Sequence, residues 1–198
     1  MREIFKPALL ILLTAPLALF AAGCVSSTAA PVAFVPPPFM SREYQNIDKA
    51  KLLKACEAAL TASDHDYKIS QRSDNGFSAE RSWVFVAVIF NQMGKSFWKV
   101  ALEEQDGRII LRARSWSSID KRSIPPFPVD TTAGTTDNEP YLSAALYKLF
   151  FDRVDYVLGR RQTWPTCKEA KNDLAAKESG AELESLCAYA DSTVPGRI

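Results

Sequence analysis

Four cysteines and one histidine carry most of the reactive chemistry in this chain of 198 residues. His65 stands between Asp64 and Asp66, and an imidazole beside carboxylates can ligate a metal or relay a proton. Adjacent residues rarely point at one ion, however, and no second cluster of histidine or cysteine joins them. A helix-terminating turn accounts for Asp64-His65-Asp66 more simply. The chain contains no Gly-x-Ser-x-Gly elbow, no His-Glu-x-x-His pair and no phosphate-cradling glycine loop. A hydrolase would have to build its site on His65, or on two carboxylates whose separation a sequence does not fix. The expectation is a protein that is not an enzyme and uses no metal or cofactor.

Cys24 has a different setting. Arg2 and Lys6 precede an apolar run from Ala8 to Ala22, and Ala21-Ala22-Gly23 lead into the thiol. A short basic region, about 15 apolar residues and small residues before a break make a secretory signal, whereas a spanning helix needs about 20. Ala21-Ala22-Gly23-Cys24 resembles the lipobox of bacterial lipoproteins, with alanine where that family usually has leucine. The resemblance implies that Cys24 is alkylated with diacylglycerol, that the signal is cut before it, and that the new amino terminus is acylated. One lipid chain holds a protein only marginally, at about 0.8 kcal/mol per buried methylene, so several chains on Cys24 make attachment effectively permanent. Val25 stands where an aspartate would, in that family, argue for retention in the inner membrane. The expected location is the outer membrane, lipid-anchored, with the domain facing the periplasm.

Removing residues 1–23, with Arg2, Lys6 and Glu3, leaves 175 residues carrying 22 basic and 22 acidic side chains. This balance lacks the basic excess of a nucleic-acid binder, and export removes that partner in any case. Cys56, Cys167 and Cys187 remain, and an odd count in an oxidising compartment gives one pair and one spare. Lys168 to Lys177 reads as a helix, Glu178-Ser179-Gly180 as its cap and turn, and Ala181 to Tyr189 as a second helix. In such a hairpin Cys167 and Cys187 lie near the open end, where their Cα atoms come within about 6 Å. A bridge there contributes about 3 kcal/mol. Cys56 falls beside Leu52, Leu53 and Leu60 on an amphipathic helix, where a buried, inert thiol is expected. A bridge from Cys56 to Cys167 or Cys187 is the alternative.

The elements that position these residues follow from periodicity. Residues 24–45 form a lipidated, proline-rich tether in which Pro31, Pro36, Pro37 and Pro38 hold the chain extended at about 3.1 Å per residue. Asn46 or Asp48 then caps a helix running to about Ala62. Four strands follow, over Tyr67 to Arg72, Phe77 to Phe90, Ser96 to Glu104 and Arg108 to Trp116, joined by turns at Asp74-Asn75-Gly76, Asn91 to Lys95 and Asp106-Gly107. A long irregular stretch, Ser117 to Asn138, separates them from a helix opened by Glu139 and Pro140 and ended by Gly159. The expected fold is α+β: a four-stranded antiparallel meander with two helices on one face, in the order α-β-β-β-β-α, plus a C-terminal helical hairpin. Its parts are a signal peptide (1–23), the tether (24–45), the α+β domain (46–160) and the hairpin tail (161–198). With Gly76-Phe77 entering strand two and Tyr141 to Phe151 in the last helix, the domain resembles small uncharacterised envelope lipoproteins with a helix-grip-like module. That resemblance implies a fold and not a function.

Strand alternation then points to a surface. Ile109, Leu111 and Ala113 face one way, and Arg112, Arg114 and Trp116 the other, beside Lys99 and Phe97 of the preceding strand. Such a mixed basic and aromatic face can bind an anionic glycan, a lipid head group or an acidic partner. The plainer explanation is a solvated face with cross-strand pairs, such as Lys99 or Arg112 with Glu103. Within the long loop, Lys121 and Arg122 followed by Pro125, Pro126, Phe127 and Pro128 have the composition of an extended docking peptide, and equally of an ordinary surface loop. Together these features describe a non-enzymatic binding or assembly module whose partners are the membrane, through its lipid, and an envelope protein or the cell wall. A cell-wall glycan binder or hydrolase is the alternative.

Overall fold

Valine, isoleucine and aromatic residues at alternate positions build the centre of a sheet, and turn chemistry fixes its register. The computed structural model describes residues 35–86, 91–120, 136–174, 180–188 and 194–198, all in one compact unit. The long strands are β3 (Gly76–Val86), β4 (Asn91–Gln105) and β5 (Arg108–Asp120), with β2 (Lys68–Ser73) on the outer edge of β3. Asp106 and Gly107 both have positive φ (51° and 73°), the two-residue turn that matches strand twist and pairs Gln105 with Arg108. At Gly76 a Cβ would collide with the Val100 carbonyl, so only glycine lets β3 enter so close to β4.

The sheet is antiparallel, as expected, but it has six strands and not four. Two additional strands share one edge of β5: β1 (Met40–Tyr44) pairs with Ile109 to Ala113, and β6 (Thr136–Tyr141) with Ser115 to Asp120. Residues 40–44, expected in the tether, point Met40, Arg42 and Tyr44 to the covered side. Arg42 disguises this alternation. Its guanidinium reaches Asp152 at 2.9 Å and Asp155 at 2.7 Å and lies over the Phe151 ring. Residues 136–141 have little intrinsic strand preference. Pro140, expected to open the last helix, sits instead in this edge strand, where its missing N–H has no ladder partner to lose. The Tyr147 hydroxyl fastens the junction, donating to the Tyr141 carbonyl and accepting from the Ser115 N–H, each at 2.9 Å.

Both long helices lie on one side of the sheet and contribute to the same core. Asp48 caps α1 (Lys49–Ser63), accepting from Lys51 N at 3.0 Å. Ser143 caps α2 (Ala144–Val157), which therefore starts four residues beyond Pro140. Trp98 of β4 meets Phe150 and Tyr147 of α2 at ring distances of 4.9 and 5.8 Å. Leu111, Ala113, Val100, Phe77 and Ala79 complete this floor beneath Leu52, Leu60, Leu146 and Val154.

The tail is shorter in helix and more deeply docked than the expected hairpin. Its pieces are α3 (Cys167–Asn172), a 3-10 turn (Gly180–Leu183) and α4 (Glu184–Cys187). A disulfide joins Cys167 to Cys187 with Cα atoms 5.8 Å apart, the pairing favoured by spacing, and Cys56 is a buried free thiol. Burial pushes that thiol well above its ordinary pKa, which makes it a poor nucleophile. Leu183 and Leu186 are fully buried in the common core, which ties this part of the tail to the sheet and helices. Arg153 of α2 pins them: its guanidinium donates to Leu186 O at 2.8 Å, Pro165 O at 3.3 Å, Ser63 Oγ at 2.6 Å and the Cys167 sulfur at 3.3 Å.

Candidate functional site

Along the covered side of the sheet, inward side chains change character halfway up the strands. In β4 the series runs Leu102, Val100, Trp98, then Ser96 and Gly94; in β5 it runs Ile109, Leu111, Ala113, then Ser115 and Ser117; in β3 it runs Phe77, Ala79, then Arg81 and Trp83. Small polar residues leave volume that large apolar ones would fill. Where they begin, the sheet and the tail border a half-open cavity of about 570 Å³. Its floor is Arg81, Ser96 and Ser117; Trp83, Ile119, Pro140 and Tyr141 form the sheet wall, and Ala181, Ser185 and Ala188 the tail wall.

Arg81 is held as a buried cation. Its exposure is 6%, and it forms an ion pair with Asp64, whose side chain is wholly buried. A second N–H donates to the Glu184 carbonyl, and the guanidinium lies 5.7 Å from the Tyr67 ring. Two buried polar atoms of these residues, Arg81 Nε and Ser96 Oγ, have no hydrogen-bond partner among the described residues. Buried donors of this kind are rare and costly, on the order of 1–3 kcal/mol each.

A polar knot fixes the tail wall. Trp98 Nε1 lies 3.0 Å from both Tyr67 Oη and Ser185 Oγ, and Tyr67 donates to Ser185 O at 2.8 Å. Burial raises the Tyr67 hydroxyl to about 12, against the opposing pull of Arg81, and burial likewise raises Tyr147 to about 12. Both therefore act as neutral hydrogen-bonding groups at neutral pH. Glu182 caps the start of α2 from the tail, accepting from Ser143 N at 2.6 Å. Glu139 and Glu184 are further lining residues of the cavity. Trp83 lies across Gly94, where any Cβ would overlap its indole ring.

The surface singled out from sequence lies on the opposite side of the sheet. Lys99 stands opposite Arg114, and Phe97 stacks on Trp116 with centroids 5.3 Å apart. Arg112 pairs with Glu103 at 2.6 Å, and Arg114 lies 4.5 Å from the Phe39 ring. Lys95–Glu80 and Arg108–Glu43 are further cross-strand ion pairs. The face thus balances much of its positive charge internally, as the plainer reading had it. Cys24, Lys121, Arg122 and Phe127 lie outside the described residues.

At the Asp64-His65-Asp66 corner Asp64 parts from the other two side chains. Asp64 turns inward to Arg81 while accepting from the Asp66 N–H, and His65 is exposed with Nε2 3.7 Å from Asp66. Among the described residues no cluster of three histidine, cysteine or acidic side chains is placed to hold a metal. The cavity residues escaped the sequence reading. The available signal was the run of serine and glycine at inward positions of β4 and β5, immediately after large apolar residues at the same phase. No protein-family model and no curated protein matches this chain.

Proposed function

We propose that this chain is an envelope lipoprotein, held in the outer membrane through lipids on Cys24 and facing the periplasm, whose folded unit binds a ligand and does not catalyse a reaction. The observation carrying the binding part is the hollow itself. It has about the volume of a small-molecule site and mostly apolar walls, and among the described residues its lining holds no histidine or cysteine. The lipobox-like Ala21-Ala22-Gly23-Cys24 supports the anchoring part. The Cys167–Cys187 bridge suits an oxidising compartment. Mass spectrometry of the protein extracted from membranes tests the anchor: a mature chain starting at a triacylated Cys24 is expected, and an unmodified Cys24 or a retained signal overturns it.

A second reading rests on Glu139, Glu182 and Glu184 lining one cavity. Paired carboxylates are the machinery of glycoside hydrolysis, so a cell-wall glycan binder or hydrolase is the alternative. It predicts turnover or co-sedimentation with purified peptidoglycan, lost in Glu139→Gln. Absence of both leaves the binding module.

A further inference from the structure

The two ends of the sheet differ in kind. At one end the turns are polar and charged: Asp74-Asn75 joins β2 to β3, and Asp106-Gly107 joins β4 to β5. At the other, β3 and β4 run out as a hairpin whose sequence carries no charge from Ser82 to Gly94 and is wholly apolar from Trp83 to Phe90. Val84, Val86 and Met93 of that hairpin are 62%, 71% and 41% exposed. Alternation puts all three on one phase of the sheet, with Val84 directly opposite Met93. Single exposed valines are ordinary on a protein surface, but a group of apolar side chains at one projecting end marks a contact.

The amino-terminal chain joins the sheet from this same direction. β1 is antiparallel to β5, with Met40 opposite Ala113 and Tyr44 opposite Ile109, so the residues just before Met40 lead towards the apolar end. Phe39 already lies over Arg114, one residue further along β5. Val100 is level with Ala113, and from there β4 covers about 30 Å to Asn91, opposite Val86. The chain from Cys24 to Met40 spans about 50 Å when extended, which is enough for the hairpin to touch the bilayer that holds Cys24. Reach alone would allow either end of the sheet to do so, and the chemistry of the two ends decides between them.

We infer that the β3–β4 hairpin, through Val84, Val86 and Met93, rests in the surface of the bilayer that holds Cys24, a second contact that orients the domain on its membrane. This rests on the anchored reading and adds to it which end of the domain meets lipid. A protein partner suits the patch less well. Stable protein interfaces engage about 20–30 residues a side, whereas lipid accepts a few apolar side chains and needs no matching shape. The insertion is shallow. β2 reaches only to Glu80, so among the described residues the outer edge of β3 beyond it has no strand neighbour, and its N–H and C=O groups need water. Lys95, half-exposed and paired with Glu80, stands two residues behind Met93, and Asp120 ends β5 opposite Met93. These charges hold the hairpin at the level of the head groups and upper acyl chains, about 5–10 Å deep.

The test uses the full chain, purified from membranes and placed in phosphatidylcholine vesicles, with one cysteine added at a time: Val86→Cys or Met93→Cys at the apolar end, and Gln105→Cys at the far end of β4. Cys56 is buried and Cys167 is bridged to Cys187, so a polarity-sensitive dye goes to the added thiol, with the parent chain as blank. A nitroxide placed high on the acyl chains of the vesicle lipid should quench the dye at Val86→Cys and Met93→Cys about threefold more than at Gln105→Cys. Adding Val84→Asp to Met93→Cys should bring its quenching down to the Gln105→Cys level. Equal quenching at the two ends overturns the proposal. So does a blue shift at Val86→Cys that comes without lipid quenching and grows with protein concentration, which would assign this end to a second copy of the chain. Mass spectrometry of the Cys24 peptide from the same samples separates the two claims. A lipidated Cys24 with an unquenched hairpin overturns the contact and leaves the anchor, and an unmodified Cys24 with a quenched hairpin overturns the anchor and leaves the contact.

Discussion

The same three strands, read on the same side, make two unlike regions. In the lower half Phe77, Ala79, Val100, Leu102, Leu111 and Ala113 meet α1 and α2 in a filled, apolar interior. In the upper half Arg81, Ser96, Ser115 and Ser117 meet a short, disulfide-tied tail. Trp98 stands at the border, packing on Phe150 below and bonding Tyr67 and Ser185 above. The lower half is stabilised by area removed from water, at about 25 cal/mol per Å² of apolar surface. The upper half contributes little of that kind. It keeps a buried ion pair and two buried polar atoms without hydrogen-bond partners among the described residues, features that do not maximise stability. A sheet can thus be continuous in hydrogen bonding while its inward residues divide between a filled core and a hollow.

The strongest way to break this comparison acts on Arg81. Arg81→Met leaves the wholly buried Asp64 without its cation and should cost about 3–5 kcal/mol in urea denaturation. Adding Asp64→Asn removes the stranded charge and should recover a large part of that loss. If the double variant is as unstable as the single one, the pair is not the electrostatic unit described, and the upper half owes its form to packing after all.

A smaller effect sharpens the border. Tyr67 holds its proton up to about 12, while the unfolded chain releases a phenolic proton near 10. Between these pH values the unfolded state binds fewer protons, so stability is undiminished below about pH 10 and falls as pH rises through 12. The Tyr67 contribution to this loss is on the order of 2–3 kcal/mol. Tyr67→Phe should cost about 1 kcal/mol near neutrality, by removing the donor to Ser185 O and leaving Trp98 Nε1 with Ser185 Oγ alone, yet flatten the alkaline decline. Denaturation curves collected from pH 8 to 12 compare the two slopes. Equal slopes would mean that water entering from the cavity lets Tyr67 titrate normally, and the border would have to be moved below it.

How much of this was legible in the sequence follows the same division. The lower half was readable because alternation is a period-2 signal with large apolar residues on one phase, and α1, β2, β5 and the Asp106-Gly107 turn fall near their expected positions. The Cys167–Cys187 pair was readable because a helical turn between two cysteines limits their distance. Two strands were not. Arg42 in β1 and Glu139 and Pro140 in β6 contradict local strand preference, and only long-range partners, Asp152 and Asp155 for Arg42 and the Tyr147 hydroxyl beside Tyr141, make those segments extended. The surface of Lys99, Arg112, Arg114 and Trp116 was placed on the correct side, but sequence could not show that Glu103 and Phe39 occupy Arg112 and Arg114. Arg81 and its partner Asp64 are 17 residues apart, on a strand and in a turn, and no local pattern signals such a pair.

The finest test compares one enlargement in each half of a single strand. Ala113 and Ser117 are four residues apart in β5, face the same way and are both buried. Ala113→Leu forces a branched side chain into filled space and should destabilise by about 1–3 kcal/mol. Ser117→Leu adds similar bulk where no atoms need move, and the lost hydroxyl is offset by new apolar contact with the cavity walls, so its cost should stay within about 0.5 kcal/mol. At roughly 2–4 °C per kcal/mol for a chain of this size, thermal unfolding resolves the two. The sign of that difference carries the argument. Were Ser117→Leu to cost as much as Ala113→Leu, the upper half would be as tightly filled as the lower, and the serines of β4 and β5 would be polar punctuation in a core with no room for a ligand.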